Sequence, residues 1–593
     1  MSAVSGKSDT TLTIKKARIF DGESVISADT VFVKNGRIAG VGQALEQSSQ
    51  SETIDGTGCT LLPGLIDSHT HILGSKSLKQ ALVFGVTTEL DMGTDSKFAA
   101  EVKNKQANGD LMDWADLFSA GALVTAPGGH GTEYGMKVPT ITGPEQAKAY
   151  VDARISEGSD YIKIIYDDGG SYGLSIPTLS KETLAAVIRA ARARSKLSLV
   201  HVVSYRETRD AIECGCSGLA HLFTDQMPEA DFGAFVAKAK AFVIPTLTVL
   251  ESIAGIPSGV SLLAHPQFAP YFTEDDKANL KRSFLVLPGL SQNFRAAEEA
   301  VRQLKAAGVP ILAGSDVPNF GTMHGASLHR ELELLVQAGL SPTEALAAAT
   351  SVPAATFGLT DRGRIKIGSR ADLLLVQGDP IADIRATRNI VRIWKGGAAL
   401  NRAEYLAATE PSRVEEMRLR DAPPPAGSDS GLVSNFEEMA PATRFGMGWV
   451  VSTDGMAGGN SSAQFRVVAG GANGSLGSLL IEGEVLPGYP FPWAGAMFAP
   501  GGAPGQAVNL SSKKRISFWA KGDGRTYRVM LSARSYWPVP VARFFAASPE
   551  WKHYAFEISD FDGMDGHDLT GVTFAAGPRP AKFAFQIDDV RFE

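Results

Sequence analysis

Two periodicities share this chain, and their order along it predicts its architecture. From residue 11 to 60 the apolar positions come in short runs alternating with polar ones, as in "TLTIKKARIF", "ADTVFVKNGRIAGVG" and "SETIDGTGCTLL". A two-residue repeat puts successive side chains on opposite faces of a strand. Asn35-Gly36, between two such runs, is a hairpin signal. The same texture returns between 363 and 400, in "GRIKIGSRADLLLVQGD" and "IVRIWKGGAAL". Residues 11–60 and 361–404 are therefore expected to form one small flanking β-sandwich subdomain, closed by both ends of what lies between them.

That interval, 61–360, alternates short apolar runs with amphipathic stretches. The strand before His69 is followed by candidates at 87–93, 117–124, 161–167, 197–203, 218–223, 241–247 and 309–316. Helical stretches such as "PEQAKAYVDARISEG" and "KETLAAVIRAARARS" fall between them. Eight such βα units predict an α/β fold of the (β/α)8 TIM barrel type, with its active site at the C-terminal ends of the strands. The stretch 248–308 is longer than an ordinary connection and is expected to be a lid or binding loop. Residues 405–432 shift to charge and then to Pro, Gly and Ser, which reads as a linker. Beyond them, 433–593 is Gly-rich with short alternating strands, and predicts a separate all-β domain.

Composition narrows the function. The 593 residues suit several domains, and 44 % hydrophobic with 20 % charged residues is ordinary for globular protein. A net charge of −7 offers neither a nucleic-acid footprint nor a polybasic membrane patch. No apolar run is long enough to span a bilayer. The first residues lack the apolar core of a secretory signal, as a mature exported chain also would, so the compartment stays open. Three cysteines make no disulfide framework, and Cys59, Cys214 and Cys216 are expected to be buried structural thiols.

The chemistry gathers at predicted strand ends. His69 and His71, in "GLIDSHTHILG", lie two apart and so share one face, as two ligands of one ion would; a strand end exposing two polar residues reads the same way. Asp67 is on their face too, and is expected to support an imidazole. Lys163 is flanked by Ile162, Ile164 and Ile165, where a buried ammonium is costly unless paired or chemically altered. His201 lies in "LVHVVS", His221 in "LAHLF" and Asp316 in "ILAGSDVP". Each histidine alone reads as readily as a hydrogen-bonded core residue. Together they converge on one end of one barrel, with the ligand types borderline divalent metals prefer, zinc first.

The motifs "DSHTH", "YIKI", "VHVV", "LAHLF", "GSDVP" and "GRIKIGSRADLLLV" resemble the amidohydrolase superfamily of metal-dependent barrel hydrolases, over about 11–400. Within it, "APGGHGTEYG" (126–135) and "HGASLHRELELLVQAGLSPTEAL" (324–346) are similar to imidazolonepropionase-like proteins, prolidase-like dipeptidases and the ochratoxin-hydrolysing amidase. The resemblance implies that His69, His71 and Asp316 hold one divalent metal ion, and that His201 and His221 hold a second. Lys163, carboxylated by CO2, would bridge two Zn2+ ions, and Asp316 would move the proton from a bridging water to the leaving amine. Single-metal deaminases and true imidazolonepropionases lack this lysine, so it favours a binuclear amide- or peptide-cleaving branch. His130, in "PGGHGT", would contact substrate or simply pack its loop. Tyr205 would stabilise the oxyanion, with Tyr166 and Tyr172 competing for that role. His324 and His329 are expected to support ligands, while His265 carries little signal.

The C-terminal segment resembles CIA30-like domains of galactose-binding-type jelly-roll fold, through "VSTDGMAGGNSSAQF" and "FAFQIDDVRFE". His553 and His567 stand alone there, and packing or association is expected, with carbohydrate binding open. The leading expectation is a binuclear hydrolase of dipeptides or N-acyl amino acids. Lactam, cyclic imide or ester hydrolysis is the alternative, and a non-catalytic binding protein the remote one. A small-molecule substrate and a homo-oligomer are expected, with no nucleic acid or membrane partner.

Overall fold

The computed structural model describes residues 11–42, 52–132, 138–286, 290, 292–489, 491–536 and 539–593. Parts of the 126–135 motif and of 248–308, and the first ten residues, lie outside these. Seven parallel strands form the middle: β1 Leu65–Thr70, β2 Val86–Asp91, β3 Asp116–Ser119, β4 Ile162–Ile165, β5 Ser198–His201, β6 Gly218–Ala220 and β7 Phe242–Ile244. They run in two sheets, ordered β3-β2-β1 and β4-β5-β6-β7. Nearly every residue in them is buried, as parallel strands covered on both faces require. A parallel bridge, Val124↔Ile164, links the third and fourth units.

The expected eighth strand, 309–316, is not a regular one. Its chain bridges β7 at Val243↔Ile311 and β1 at Thr70↔Val317, without a continuous ladder. Pro310 has no N–H to give. A Cβ on Gly314 would stand 2.5 Å from Ile244 and 2.9 Å from His69, so only glycine passes between those strands. The fold is TIM-barrel-like. Helices cover it as expected: Lys181–Arg192 is capped by Ser180, which accepts from the Thr183 N–H, and buries Leu184, Val187, Ile188 and Ala191 on one stripe.

The two outlying blocks join. Strand Cys59–Pro63 pairs with Leu373–Gln377, and two sheets enclose Ile14, Ile19, Val31, Leu61, Leu373 and a fully buried Trp394. Strands Val31–Lys34 and Arg37–Val41 pair through Lys34↔Arg37, with Asn35 at φ 51° and Gly36 at φ 74°. That is the two-residue turn with both central φ positive that the sequence signals.

Two stretches differ from their sequence reading. The described part of 248–308 is not an open loop but holds helices Leu247–Ile253, Val260–Leu263, Glu274–Leu280 and Phe294–Ala306. The first half of the expected linker is a helix, Arg402–Arg420, with Pro411 inside it. Tertiary contacts hold it: Arg402 lies 3.9 Å over the Tyr271 ring, and Asn509 donates to the Arg420 and Ala422 carbonyls at 2.6 and 3.0 Å. Past it, the C-terminal domain is all-β, with two antiparallel sheets around a core that includes Phe498, Phe518, Tyr527, Phe574 and Phe585.

Candidate metal centre

The C-terminal ends of β1, β4, β5 and β6 bring one set of side chains together. His69 Nε2 and His71 Nε2 each lie 3.3 Å from Asp316 Oδ1, and His221 Nε2 lies 3.9 Å from Asp316 Oδ2. Lys163 Nζ lies 3.2 Å from His69 Nε2. The rings form a chain, with centroids of His71 and His69 5.5 Å apart, His69 and His221 4.6 Å, His221 and His201 4.6 Å, and His201 and His130 4.9 Å. The six residues expected as ligands are thus neighbours in space.

Local structure sets their protons. His71 Nδ1 donates to the Gly93 carbonyl at 3.2 Å, which leaves Nε2 as the lone pair facing Asp316. Thr246 Oγ1 donates to the Pro245 carbonyl at 2.8 Å, so it accepts from His221 Nδ1 at 2.6 Å. His221 Nε2 is again a free base. Asn319 Nδ2 donates to the Asp316 carbonyl at 2.8 Å. His221, Thr246 and Asp316 have φ of 74°, 50° and 53°, a left-handed conformation costing non-glycine residues about 1–3 kcal/mol each. Strain of this kind persists where the surroundings impose it.

Lone pairs of two imidazoles therefore face a carboxylate oxygen, an arrangement that repels unless a cation lies between them. Asp316 Oδ1, His69 Nδ1 and His201 Nε2 are buried without a hydrogen-bond partner. Donor atoms of His69, His221 and Asp316 lie within 4.8 Å of one another. This set of neutral nitrogens and carboxylate oxygen fits a divalent ion. Burial holds His69 and His221 well below the usual imidazole range and brings His201 to about 4, so all three are neutral at pH 7. Burial works against the Asp316 carboxylate, and what holds it well below the usual range is positive charge beside it, which His69, His221 and His71 supply only when protonated; with the imidazoles neutral, that support falls to a bound cation. Lys163, fully buried, is pushed down to about 7, with Asp316 and Asp91 working the other way.

Other expectations are corrected. Tyr205 is not brought to the centre: its hydroxyl accepts from Arg209 at 3.2 Å and the Glu229 N–H at 3.4 Å, and its ring packs on Phe223 and Phe232. Its competitor Tyr166 donates to Asp210. Asp67 supports no imidazole; it accepts from the backbone N–H groups of His69 and Ser315 and from the Ser315 hydroxyl, tying β1 to the chain before Asp316. His329 bonds the Phe84 carbonyl and Thr387, so it braces the helix layer. His324 pairs with buried Glu89 at 3.1 Å. Cys59 and Cys216 are buried, but Cys214 is only half-buried.

One residue was missed. Asp167, four past Lys163 and fully buried, accepts from the Gly169 N–H at 2.7 Å through Oδ1. Its Oδ2 has no hydrogen-bond partner and lies 3.7 Å from His201 Nε2, which has none either. Nearby Glu207 accepts from the Asp168, Val203 and Ser204 N–H groups, and one of its oxygens lies within 4.8 Å of oxygens of Asp167 and Asp168.

Residues 60–400 match the family described as "Amidohydrolase family". The chain belongs to the amidohydrolase family. Its members are hydrolases of C–N bonds that generally use divalent metals. Residues 435–566 match the Complex I intermediate-associated protein 30 (CIA30) family, so this amidohydrolase carries a C-terminal CIA30 domain. An imidazolonepropionase of Cereibacter sphaeroides is 25 % identical over 417 residues, spanning 63 % of this chain and 94 % of the relative. Among solved structures, a Xaa-Pro dipeptidase with bound methionine is 22 % identical at a TM-score of 0.53, covering 66 % of this chain and 100 % of that one. The ochratoxinase of A. niger is 20 % identical at 0.51, covering 66 % and 95 %. These two likenesses concern the fold.

Proposed function

We propose that this amidohydrolase cleaves an amide or peptide bond in a small molecule, of dipeptide or N-acyl amino acid type, using two metal ions, most simply Zn2+, on a closed (β/α)8 barrel. The observation that carries this reading is Lys163, a buried amine 3.2 Å from His69 Nε2 and brought to about 7. An amine that is substantially uncharged at neutral pH can add to CO2, and the carbamate replaces a cation among ligands with anionic oxygens. His69, His71 and Asp316 would hold one ion, His201 and His221 the other, and carboxylated Lys163 would reach both. Two ions held there would supply a water of lowered pKa and a polarised scissile carbonyl. Asp316, held at its backbone by Asn319, would take the proton from the attacking water and return it to the departing nitrogen. His130, half-buried with its ring 4.9 Å from that of His201, would contact the substrate.

The names of the dipeptidase and ochratoxinase neighbours support linear amides. The imidazolonepropionase likeness, spanning most of that relative, favours a second reading, opening of a cyclic amide. Metal content per purified chain, with and without Lys163→Ala, tests the centre, and a hydrolysis screen of dipeptides, N-acyl amino acids and cyclic imides separates the substrates. Two ions per wild-type chain and fewer in the variant are expected. Full metal content and full turnover in Lys163→Ala would overturn the two-metal reading.

A further inference from the structure

The C-terminal domain reaches the metal centre through one buried arginine. Arg282 follows helix Glu274–Leu280 and is 4 % exposed. Its guanidinium donates to the Val539 carbonyl at 3.0 Å and the Tyr536 carbonyl at 3.4 Å, and its Nε lies 3.7 Å from Asp562. All three partners belong to the C-terminal domain. The same guanidinium lies 3.7 Å over the ring of Phe320, which is in the loop leaving Asp316. Phe284 packs on that ring from the same segment, with centroids 4.8 Å apart.

The loop is held tightly from this side. Asn279, at the end of the helix before Arg282, donates to the Asn319 and Thr322 carbonyls at 3.0 and 2.7 Å and accepts the Gly321 N–H at 3.0 Å. Gly321 passes so close to the Arg282 carbonyl that a Cβ would stand 2.8 Å away. Asn319 in turn donates to the Asp316 carbonyl. A planar cation fixed by two carbonyls and stacked on an aromatic face is a geometry lysine cannot copy.

We infer that Arg282 is a positioning residue through which the C-terminal domain holds the Asp316 loop, so that the affinity of the metal centre depends on that domain. The inference rests on the reading that Asp316 holds a metal ion. Its test is Zn2+ affinity, measured by competition with a chromophoric chelator on the full chain. Arg282→Met is expected to weaken one site about 10- to 100-fold, the range for groups that orient metal ligands. Phe320→Leu, which removes the stack and keeps the domain contacts, is expected to do the same, and it stands in if Arg282→Met does not fold. Arg543→Ala is the control, because Arg543 approaches Asp562 at 3.5 Å and is used by no contact to the loop described above. It is expected to lower the melting temperature without changing Zn2+ affinity. Wild-type affinity in folded Arg282→Met or in Phe320→Leu would overturn the inference, as would equal weakening by Arg543→Ala. A wild-type chain that binds no Zn2+ would overturn the metal reading itself, and this inference with it.

Discussion

Two clusters of buried charge sit on the barrel and follow opposite rules. Asp116 opens β3, at the end of the strands away from the metal centre. Lys395, Arg370 and Arg362 lie 2.6, 2.5 and 2.7 Å from it, so one carboxylate takes three cations from the returning half of the β-subdomain. At the other end, imidazole lone pairs face a carboxylate and four polar atoms, on His69, Asp167, His201 and Asp316, find no hydrogen-bond partner. A buried polar group without a partner is expensive. The first cluster pairs its charges, although Arg370 Nη2 lacks a hydrogen-bond partner, and it fastens the β-subdomain to the barrel. The second is incomplete as protein, and that incompleteness is what suits it to a ligand.

The contrast can be broken from either end. On the proposed two-metal reading, Lys163→Ala should lower turnover by on the order of 10³-fold or more while the chain stays folded, as loss of one member of a catalytic unit does; turnover beside a thermal melt decides it. Asp116→Ala should do the reverse. Removing the carboxylate that three buried cations share, although Arg362 keeps Asp361 and Arg370 keeps Asp372, is expected to cost about 3–5 kcal/mol in urea unfolding, with turnover per folded molecule unchanged. Burial opposes the Asp116 carboxylate, but Lys395, Arg370 and Arg362 hold it well below the usual range. A depressed carboxylate contributes fully above its unfolded value of about 4 and loses that contribution only as pH falls through the folded one. The deficit should therefore be equal at pH 5 and pH 8, and a deficit that grows between them would show another group at work. On the same two-metal reading, Asp167→Asn should weaken the ion assigned to His201 about 10-fold, with little change in stability, as chelator competition would show. Smallest of all, Tyr205→Phe should change turnover less than about 2-fold and cost roughly 1 kcal/mol from lost hydrogen bonds.

How far the site was legible depended on what each residue's position encodes. Five of the six expected ligands sit in or at the end of an apolar strand and Asp316 ends an apolar run bridged to β7 and β1, so period two and the barrel's polarity fix both direction and end. His69, His71, Lys163, His201, His221 and Asp316 could therefore be placed from local pattern. Tyr205 could not, because it starts helix Tyr205–Glu213, and which way a residue turns there depends on Phe223 and Phe232, distant or unpatterned in sequence. Asp167 escaped notice inside "DDGG", which reads as a turn; only the approach of His201 from the next strand gives its carboxylate a purpose. The helix across Pro411 was hidden for a related reason, since its supports, Tyr271 and Asn509, come from other parts of the chain.

The pairing of Cys59–Pro63 with Leu373–Gln377 bears on how this molecule is made. Cys59 meets Gln377 across 318 residues, so a sheet begun near the start of synthesis waits for a partner that emerges much later. Until then the nascent chain carries an unsealed, strongly apolar strand edge, "CTLLP", beside a barrel whose last segment is missing. Contacts this remote make folding slow, because a long loop must close before it is rewarded. Chains cut before about residue 373 should accumulate as aggregates rather than as a smaller working enzyme, whereas cuts after Leu400 leave both halves of the seam in place.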